Sequence, residues 1–148
     1  DEVWFYTCLA PQGNYANRFL ELPLIKTRLI HWVNFRFGAT GYLHWGFNQW
    51  KGDPYGETTF MNLESGNTLP GGDSWIVYPD KGKLYSSIRM EAMRDGITDY
   101  TLLKMLEKKN PELAKELCRQ VVFNWALYDI DSDHFRMIRH QILEELSK

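Results

Sequence analysis

The feature that most constrains the fold is a set of three short, almost wholly apolar runs separated by longer segments of other character. The runs cover residues 3–9, 42–47 and 74–78. A run without alternation between apolar and polar side chains is typical of a strand in a parallel sheet with both faces covered. Strands that alternate with helices pair in parallel through right-handed crossovers. The sequence therefore predicts an α/β fold in which the three strands are parallel neighbours.

A helix is predicted between the first two runs. Pro23 suits a first helical turn, and Gly38 favours the left-handed residue that ends many helices. The long segment over residues 51–73 is rich in Gly, Pro and Asn, and a loop of that length is usually functional or mobile. The stripe of the predicted helix consists of Leu24, Arg28, Leu29, Trp32, Val33 and Phe37.

Three further helices are predicted because each has capping residues at its start. The starts are Ser86 or Ser87, Asn110 with Pro111, and Asp131 or Ser132. The second of these helices carries apolar side chains at every fourth position: Leu113, Leu117, Val121 and Trp125. The last carries them on one face: Phe135, Ile138, Ile142 and Leu146.

Three parallel strands make a poor closed domain because two sheet edges stay open. We therefore expect the last three strand–helix units of an eight-stranded (β/α)8 barrel of the TIM type, followed by extra C-terminal helices. In this interpretation residues 1–148 are one segment, with barrel units over 1–108 and additional helices over 109–148. The chain begins at Asp1 and not at Met, which indicates a processed product or a fragment.

Composition excludes several classes of partner. A net charge of −2 gives no electrostatic footprint for nucleic acid, and no apolar run reaches the length of a membrane-spanning helix. An unfinished barrel is instead expected to self-associate or to bind its missing N-terminal part. The two cysteines, Cys8 and Cys118, are expected to be buried thiols.

A stretch of aromatic and amide side chains is the strongest functional signal. Trp45 and Trp50 flank Asn48 and Gln49, directly after the second apolar run. Ring faces beside hydrogen-bonding groups suit a sugar, which is apolar on its faces and polar at its edges. The alternative is that both indoles are core, because aromatic side chains bury large areas.

Signals for metals and cofactors are weak. Residues 129–133 resemble the start of a calcium loop, but His134 and His140 stand where that loop needs Gly and Glu. These residues are therefore interpreted as a helix cap. No zinc spacing, phosphate-binding glycine motif or nucleophile elbow is present, and we expect neither a metal nor a cofactor.

Five segments together resemble the C-terminal part of the family 123 glycoside hydrolases, over about residues 3–106. Residues 111–148 carry no motif of that family. The segments are WFYTC at 4–8, LPLIKTRLIHW at 22–32, GYLHWGFNQW at 41–50, GDSWIVYP at 72–79 and SIRMEAMRDGITDY at 87–100.

The resemblance implies a barrel enzyme that acts on β-linked N-acetylgalactosamine with retention. The 2-acetamido group of the substrate attacks the anomeric carbon, an Asp orients that group, and an adjacent Glu is the general acid. Such enzymes need no metal and are usually secreted or periplasmic. Asp1 and Glu2 are not that pair, because they precede a strand and are not followed by Pro. The catalytic pair is expected upstream, and no catalytic residue is assigned in this chain.

Residues at the carboxyl ends of the strands are the candidate sugar-binding groups. The resemblance implies that Trp45 is the platform under the sugar, that Asn48 binds its edge, and that Tyr6 binds the acetamido group. The binding candidates are Tyr6, Trp45, Asn48, Trp50 and Tyr78. Structural roles are expected for Arg28, Arg89, Glu91, Arg94, Asp95 and Asp99 in helices, for Asp73 in a turn, and for His31 and His44.

Three hypotheses stay open at this point. The chain is part of a glycosidase catalytic barrel, a carbohydrate-binding module without catalysis, or a helical interaction domain whose aromatics are all core. An Asp-Glu-Pro motif upstream separates the first hypothesis from the second. Burial of Trp45 and Trp50 separates the third from both.

Overall fold

The computed structural model describes residues 2–59, 66 and 68–148, and its mix of helices and strands confirms the α/β class. The predicted loop over 51–73 has no helix or strand in its described part; its residues 60–65 and 67, like Asp1, lie outside the described residues. No helix of the described part is long and apolar enough to cross a membrane. The elements are β1 (Trp4–Thr7), α1 (Leu24–Phe37), β2 (Gly41–His44), β3 (Tyr78–Asp80), β4 (Lys83–Tyr85), α2 (Ile88–Lys109), α3 (Pro111–Val121), β5 (Val122–Asn124), β6 (Leu127–Tyr128) and α4 (Ser132–Ser147).

The first two strands pair as predicted. β1 and β2 are parallel, with Trp4 opposite Gly41 and Thr7 opposite His44. A Cβ atom on Gly41 would lie 2.4 Å from the ring of Trp4, so only glycine lets the two strands pair beneath that ring. With α1 as the connection, residues 4–44 form one strand–helix–strand unit.

The third predicted strand, over residues 74–78, is wrong. Trp75, Ile76 and Val77 are buried, as an inner strand would be, but they do not extend the parallel sheet. Their only described ladder contact is one antiparallel bridge between Asn48 and Trp75. Tyr78 instead begins β3, which forms an antiparallel hairpin with β4.

Side chains from the start of α2 explain this difference. Nη2 of Arg89 donates to the carbonyl oxygen of Trp75 at 2.8 Å, and the hydroxyl of Ser87 donates to the carbonyl oxygen of Ile76. These bonds and the single antiparallel bridge hold the run to α2 and to the loop after β2, and not to a parallel neighbour. The apolar run is therefore a buried connection and not a strand.

The predicted helix starts are confirmed, with one small shift. The side chains of Ser87, Asn110 and Asp131 each accept a hydrogen bond from a backbone N–H of the first turn. Gly38 ends α1 with a positive φ of 72°. Pro23 occupies the capping position of α1, one residue before the turn in which we predicted it.

The four-residue repeat in α3 stops earlier than predicted. The helix ends at Val121, and Trp125 lies in the turn of the β5–β6 hairpin. The side chain of Asn124 accepts a hydrogen bond from the N–H of Ala126 at 2.9 Å, which favours a turn over a further helical turn. Trp125 stacks on Phe37, with ring centroids 4.1 Å apart.

The core lies between the helices and one face of the β1–β2 pair. Its largest completely buried side chains come from α1, α2 and α4, with α3 and the connection at Ile76 completing it. Phe135, Ile138 and Ile142 of α4 are buried and Leu146 is partly buried against them, as predicted. Neither cysteine forms a disulfide; Cys118 is buried, as expected, whereas Cys8 is only half-buried.

A buried carboxylate joins three helices in this core. Asp99 of α2 is 1% exposed and accepts hydrogen bonds from Arg28 and Trp32 of α1 and from Arg139 of α4. This arrangement confirms that Arg28 binds a carboxylate and has a structural role. Because Asp99 is buried and charged, it needs all of these donors.

The tightest approach between α1 and α2 is at Gly96, and it generates a stability prediction. A Cβ atom there would lie 2.4 Å from the backbone oxygen of Arg28. We expect Gly96→Ala to lower the free energy of unfolding by about 1–2 kcal/mol. The new methyl group forces α1 and α2 apart, and the cost of this outweighs the higher helix propensity of Ala. Denaturant unfolding measures this change. Thr98→Ala, at an exposed position two residues away, is the control and should be nearly neutral; equal effects of the two substitutions would contradict the close approach.

Candidate functional site

One face of the β1–β2 pair is not covered by the described chain. Side chains that point toward α1, such as Phe5 and Tyr42, pack on the core. The opposite face carries large side chains that stay well exposed: Trp4 at 59%, Tyr6 at 46%, Leu43 at 52% and Trp45 at 40%. We call these four residues the open face. An apolar surface of this kind marks a place where something else binds or packs.

At the carboxyl end of β2, the indole of Trp45 is fixed by a buried carboxylate. Its N–H donates to Oδ2 of Asp73 at 3.0 Å, and Asp73 has no exposed surface. The loop after β2 passes close to Asp73, since a Cβ atom on Gly46 would lie 2.6 Å from the backbone of Ser74. Asp73 follows Gly72, whose φ of 69° favours glycine, which confirms the predicted glycine turn.

His44 lies beside the same carboxylate as a neutral imidazole. Its Nδ1 accepts a hydrogen bond from the N–H of Gly46 at 3.1 Å and lies 2.7 Å from Nη2 of Arg18. Because both neighbours can only donate, Nδ1 is unprotonated and the ring proton is on Nε2. Nε2 is 3.3 Å from Oδ1 of Asp73, a close electrostatic contact without the alignment of a hydrogen bond. Burial lowers the pKa of His44, and Asp73 opposes that shift only in part.

Two buried arginines hold this arrangement together. Arg18 is 3% exposed, and burial lowers its pKa to about 10, so that it stays charged at neutral pH. Arg89 is 4% exposed and donates from Nη1 to the carbonyl oxygens of Arg18 at 2.6 Å and Gly72 at 2.9 Å. Together with the bond to Trp75, this side chain fixes the turn that carries Asp73. The predicted structural role of Arg89 is confirmed.

Tyr6 is a half-exposed phenol on the open face. Loss of hydration raises the pKa of this phenol, and interaction with Cys8 raises it further. The phenol is therefore protonated at neutral pH and able to donate a hydrogen bond. Tyr6 and Trp45 are the two predicted site residues that the fold places on the open face, and Trp45 contacts Asp73.

The other three candidates lie along the connection that follows. Asn48 is exposed and forms its backbone bridge with Trp75. Trp50 packs partly on the core, and its indole N–H donates to the carbonyl oxygen of Val77 at 3.0 Å. Tyr78 is half-buried, with its ring 5.2 Å from that of Tyr55. These residues form a second group, centred on residues 75–78.

No group of three or more His, Cys, Asp or Glu side chains that would suit a metal ion occurs within the described residues. In the segment that resembles a calcium loop, Asp131 accepts hydrogen bonds from the N–H groups of Asp133 and His134. The interpretation of that segment as a helix cap is confirmed. Arg94 pairs with Glu91, and Arg28 pairs with Asp95, in agreement with the structural roles expected for these residues.

Sequence reasoning missed Arg18 entirely and did not connect His44 with Asp73. Arg18 lies in a loop without a recognisable motif, and its partners are 26 and 55 positions away. A weak signal existed for the other two, since His44 is the one histidine in an apolar run and Asp73 directly precedes another such run. A charged group at the end of a buried segment needs a partner inside the fold.

The comparisons with known proteins agree with the resemblance in the sequence. The fold is an α/β scaffold with aromatic side chains on an open face beside parallel strand ends. Residues 1–106 match a family model described as the catalytic domain of glycoside hydrolase 123. The chain therefore belongs to glycoside hydrolase family 123.

A solved structure has a similar fold. It is that of a family 123 glycoside hydrolase from Clostridium perfringens, determined in a study of glycolipid glycan hydrolysis, and it superposes with a TM-score of 0.65 at 21% identity. The alignment covers 96% of this chain and 26% of that chain, so this chain spans about a quarter of the structure it matches. A search of curated proteins gave no match.

Buried neutral histidines generate a prediction about pH. Burial lowers the pKa of His31 to about 4, from an ordinary value of 6.5, and lowers that of His44 in the same direction. Such groups bind more protons in the unfolded chain, so stability is complete above about pH 6.5 and falls as the pH approaches 4. For His31 the loss of unfolding free energy between pH 7 and 4.5 is on the order of 2 kcal/mol.

We therefore expect His31→Gln to flatten the decline of unfolding free energy between pH 7 and 4.5, measured by denaturant titration at each pH. His140, whose side chain is 71% exposed, provides the matched control, and His140→Gln should keep the wild-type slope. A His31→Gln variant with an unchanged slope would show that His31 does not resist protonation.

Proposed function

We propose that this chain forms the sugar-binding wall of a glycoside hydrolase that acts on β-linked N-acetylgalactosamine. The observation that carries the proposal is the exposed indole of Trp45, fixed by Asp73 at the carboxyl end of a parallel strand. Active sites of barrel enzymes are built at that end of the strands. Membership of family 123 supports a carbohydrate as substrate.

The open face supports a barrel for the complete catalytic domain. In a (β/α)8 barrel the helices cover the outer face of the strands, and side chains of the inner face meet those of the other strands. β1 and β2 have helices on one face only, and the other face carries Trp4 and Leu43 at more than half exposure. These two residues would lie in the barrel interior, with Tyr6 and Trp45 at its mouth.

Each candidate residue has a role in this proposal. Trp45 stacks on the apolar face of the sugar, and Tyr6 donates a hydrogen bond to its acetamido group. Asn48 binds a hydroxyl or acetamido group at the sugar edge. Trp50 and Tyr78, in the second group around residues 75–78, contact the rest of the substrate in this proposal.

The reaction we propose is substrate-assisted and retains the anomeric configuration. The acetamido oxygen attacks the anomeric carbon while a Glu protonates the leaving oxygen and a neighbouring Asp orients the acetamido group. Asp73 is unsuited to be this acid because it is fully buried and already accepts a hydrogen bond from Trp45. Glu2 lies before the amino end of β1, whereas Trp45 follows the carboxyl end of the parallel strand β2. The catalytic pair is therefore proposed to lie upstream of this chain.

The exposure of Trp45 argues against a helical interaction domain in which all aromatics are core. Trp50 is the member of the pair that packs on the core. A carbohydrate-binding module without catalysis would use the same wall, and it differs from the enzyme only in lacking the upstream pair.

The first test is the activity of the chain by itself. We expect the 148-residue chain to release no product from an aryl N-acetyl-β-galactosaminide, because no carboxylate among the described residues is placed as the acid. A chromogenic assay measures this. Turnover that persists after Glu2→Gln would show that the acid lies elsewhere in this chain and that our assignment is wrong.

The second test compares two tryptophans in a protein with the complete catalytic domain. Trp45→Ala should lower kcat about a hundredfold, equivalent to about 2.7 kcal/mol, because stacking strengthens as the sugar ring flattens toward the transition state. Trp32→Ala removes an equally large side chain from the core, where Trp32 has no exposed surface. It should lower the melting temperature and leave the kinetics of the folded fraction nearly normal. Normal kinetics for Trp45→Ala would contradict the sugar wall.

A further inference from the structure

We propose that Asp73 is a positioning residue that fixes the orientation of the Trp45 indole against the bound sugar; this inference rests on the proposed role of Trp45 as the platform. Asp73 is 0% exposed and cannot contact a ligand itself. Its effect on the reaction would pass through one hydrogen bond, from the indole N–H of Trp45 to Oδ2 at 3.0 Å.

Trp45 needs such a partner because of where it lies. It follows the last residue of β2, so its backbone is outside the β1–β2 ladder, and its side chain is 40% exposed. An exposed indole with open space beside it has several accessible rotamers. One hydrogen bond from its single donor selects the rotamer that places the N–H at Asp73 and leaves the rest of the ring toward the open face.

The carboxylate can select a rotamer only if it is itself immobile, and its surroundings satisfy that condition. Arg89 binds the carbonyl oxygen of Gly72 at 2.9 Å, directly before Asp73 in the chain. The loop at Gly46 packs against the backbone of Ser74 so closely that it has no room for a Cβ atom. On the remaining side, Nε2 of His44 lies 3.3 Å from Oδ1. A fixed acceptor holds the platform before substrate arrives, which is what preorganised binding requires.

The chain contains a matched pair of the same chemistry without the proposed function. Trp32 donates its indole N–H to Oδ2 of Asp99 at 3.1 Å, and both side chains are buried in the helical core. Loss of that bond affects stability but not the open face. The two Asp–Trp pairs therefore separate positioning from mere structural support.

The experiment is a double-mutant cycle in a protein that carries the complete catalytic domain, with an aryl N-acetyl-β-galactosaminide as the substrate. Trp45→Phe keeps a ring for stacking but removes the donor, and Asp73→Ala removes the acceptor. We expect each substitution to lower kcat about tenfold. The double variant should also be about tenfold slower, and not a hundredfold, because both substitutions remove the same hydrogen bond. Asp73→Asn keeps an oxygen acceptor and should restore part of the loss. Asp99→Asn should reduce thermal stability and leave kcat of the folded fraction unchanged.

Indole N–H resonances give a readout that does not depend on activity. In a ¹H–¹⁵N spectrum each tryptophan contributes one indole signal, and the signal of Trp45 is the one missing in Trp45→Phe. Asp73→Asn should shift that signal and leave the signal of Trp32 in place, whereas Asp99→Asn should do the reverse. Because this measurement uses folded protein only, it also serves if Asp73→Ala fails to fold.

The outcomes distinguish this inference from the proposed function. If Trp45→Ala has normal kinetics, the sugar wall is wrong. If Trp45→Ala is slow but Asp73→Ala and Asp73→Asn turn over normally, only the positioning role is wrong. A double variant about a hundredfold slower than wild type would show that Asp73 acts independently of Trp45 and would overturn the inference.

Discussion

The candidate site depends on the hydrogen bonds that the guanidinium group of Arg89 donates. It donates to the carbonyl oxygens of Arg18, Gly72 and Trp75, three positions that belong to two separate loops, and it extends from the first turn of α2. Arg89 thereby attaches both loops to a rigid helix. Without it, each of these three carbonyl groups would lose a hydrogen bond, which is costly in a protein interior.

The charged and polar groups around Asp73, from Arg18 and His44, hold its side chain in one place. Arg18 lies close enough to interact with Asp73 electrostatically, and Nη2 of Arg18 is 2.7 Å from the imidazole of His44. A second cation at His44 would face Arg18 at that distance, and burial keeps the imidazole neutral. Nε2 of the neutral ring lies 3.3 Å from Oδ1 of Asp73, and the other ring nitrogen accepts the N–H of Gly46. Charge, tautomer and loop geometry are therefore mutually consistent, which is a property of well-specified sites.

The open face and the helical core divide the molecule into two regions with different requirements. In the core, Asp99 and its three donors bind α1, α2 and α4 into one unit. The open face carries its aromatic residues toward solvent. Large exposed rings on a sheet do not stabilise a folded chain in isolation, so their presence agrees with a surface on which something else binds or packs.

What the sequence by itself determined is local or strongly patterned. The four helices and their caps follow from residues within one turn of each other, as at Ser87, Asn110 and Asp131, and the parallel pairing of β1 with β2 follows from two apolar runs around a helix. The family followed from motifs whose order is preserved along the chain. Tertiary structure decided the rest. Residues 74–77 form a buried connection outside the parallel sheet, bound to the start of α2 through Arg89 and Ser87. Trp125 lies in a hairpin turn and not in the predicted helix. The hydrogen bond from Trp45 to Asp73 joins residues 28 positions apart, and neither residue type nor spacing indicates it. A bond between distant segments exists only once the chain has folded.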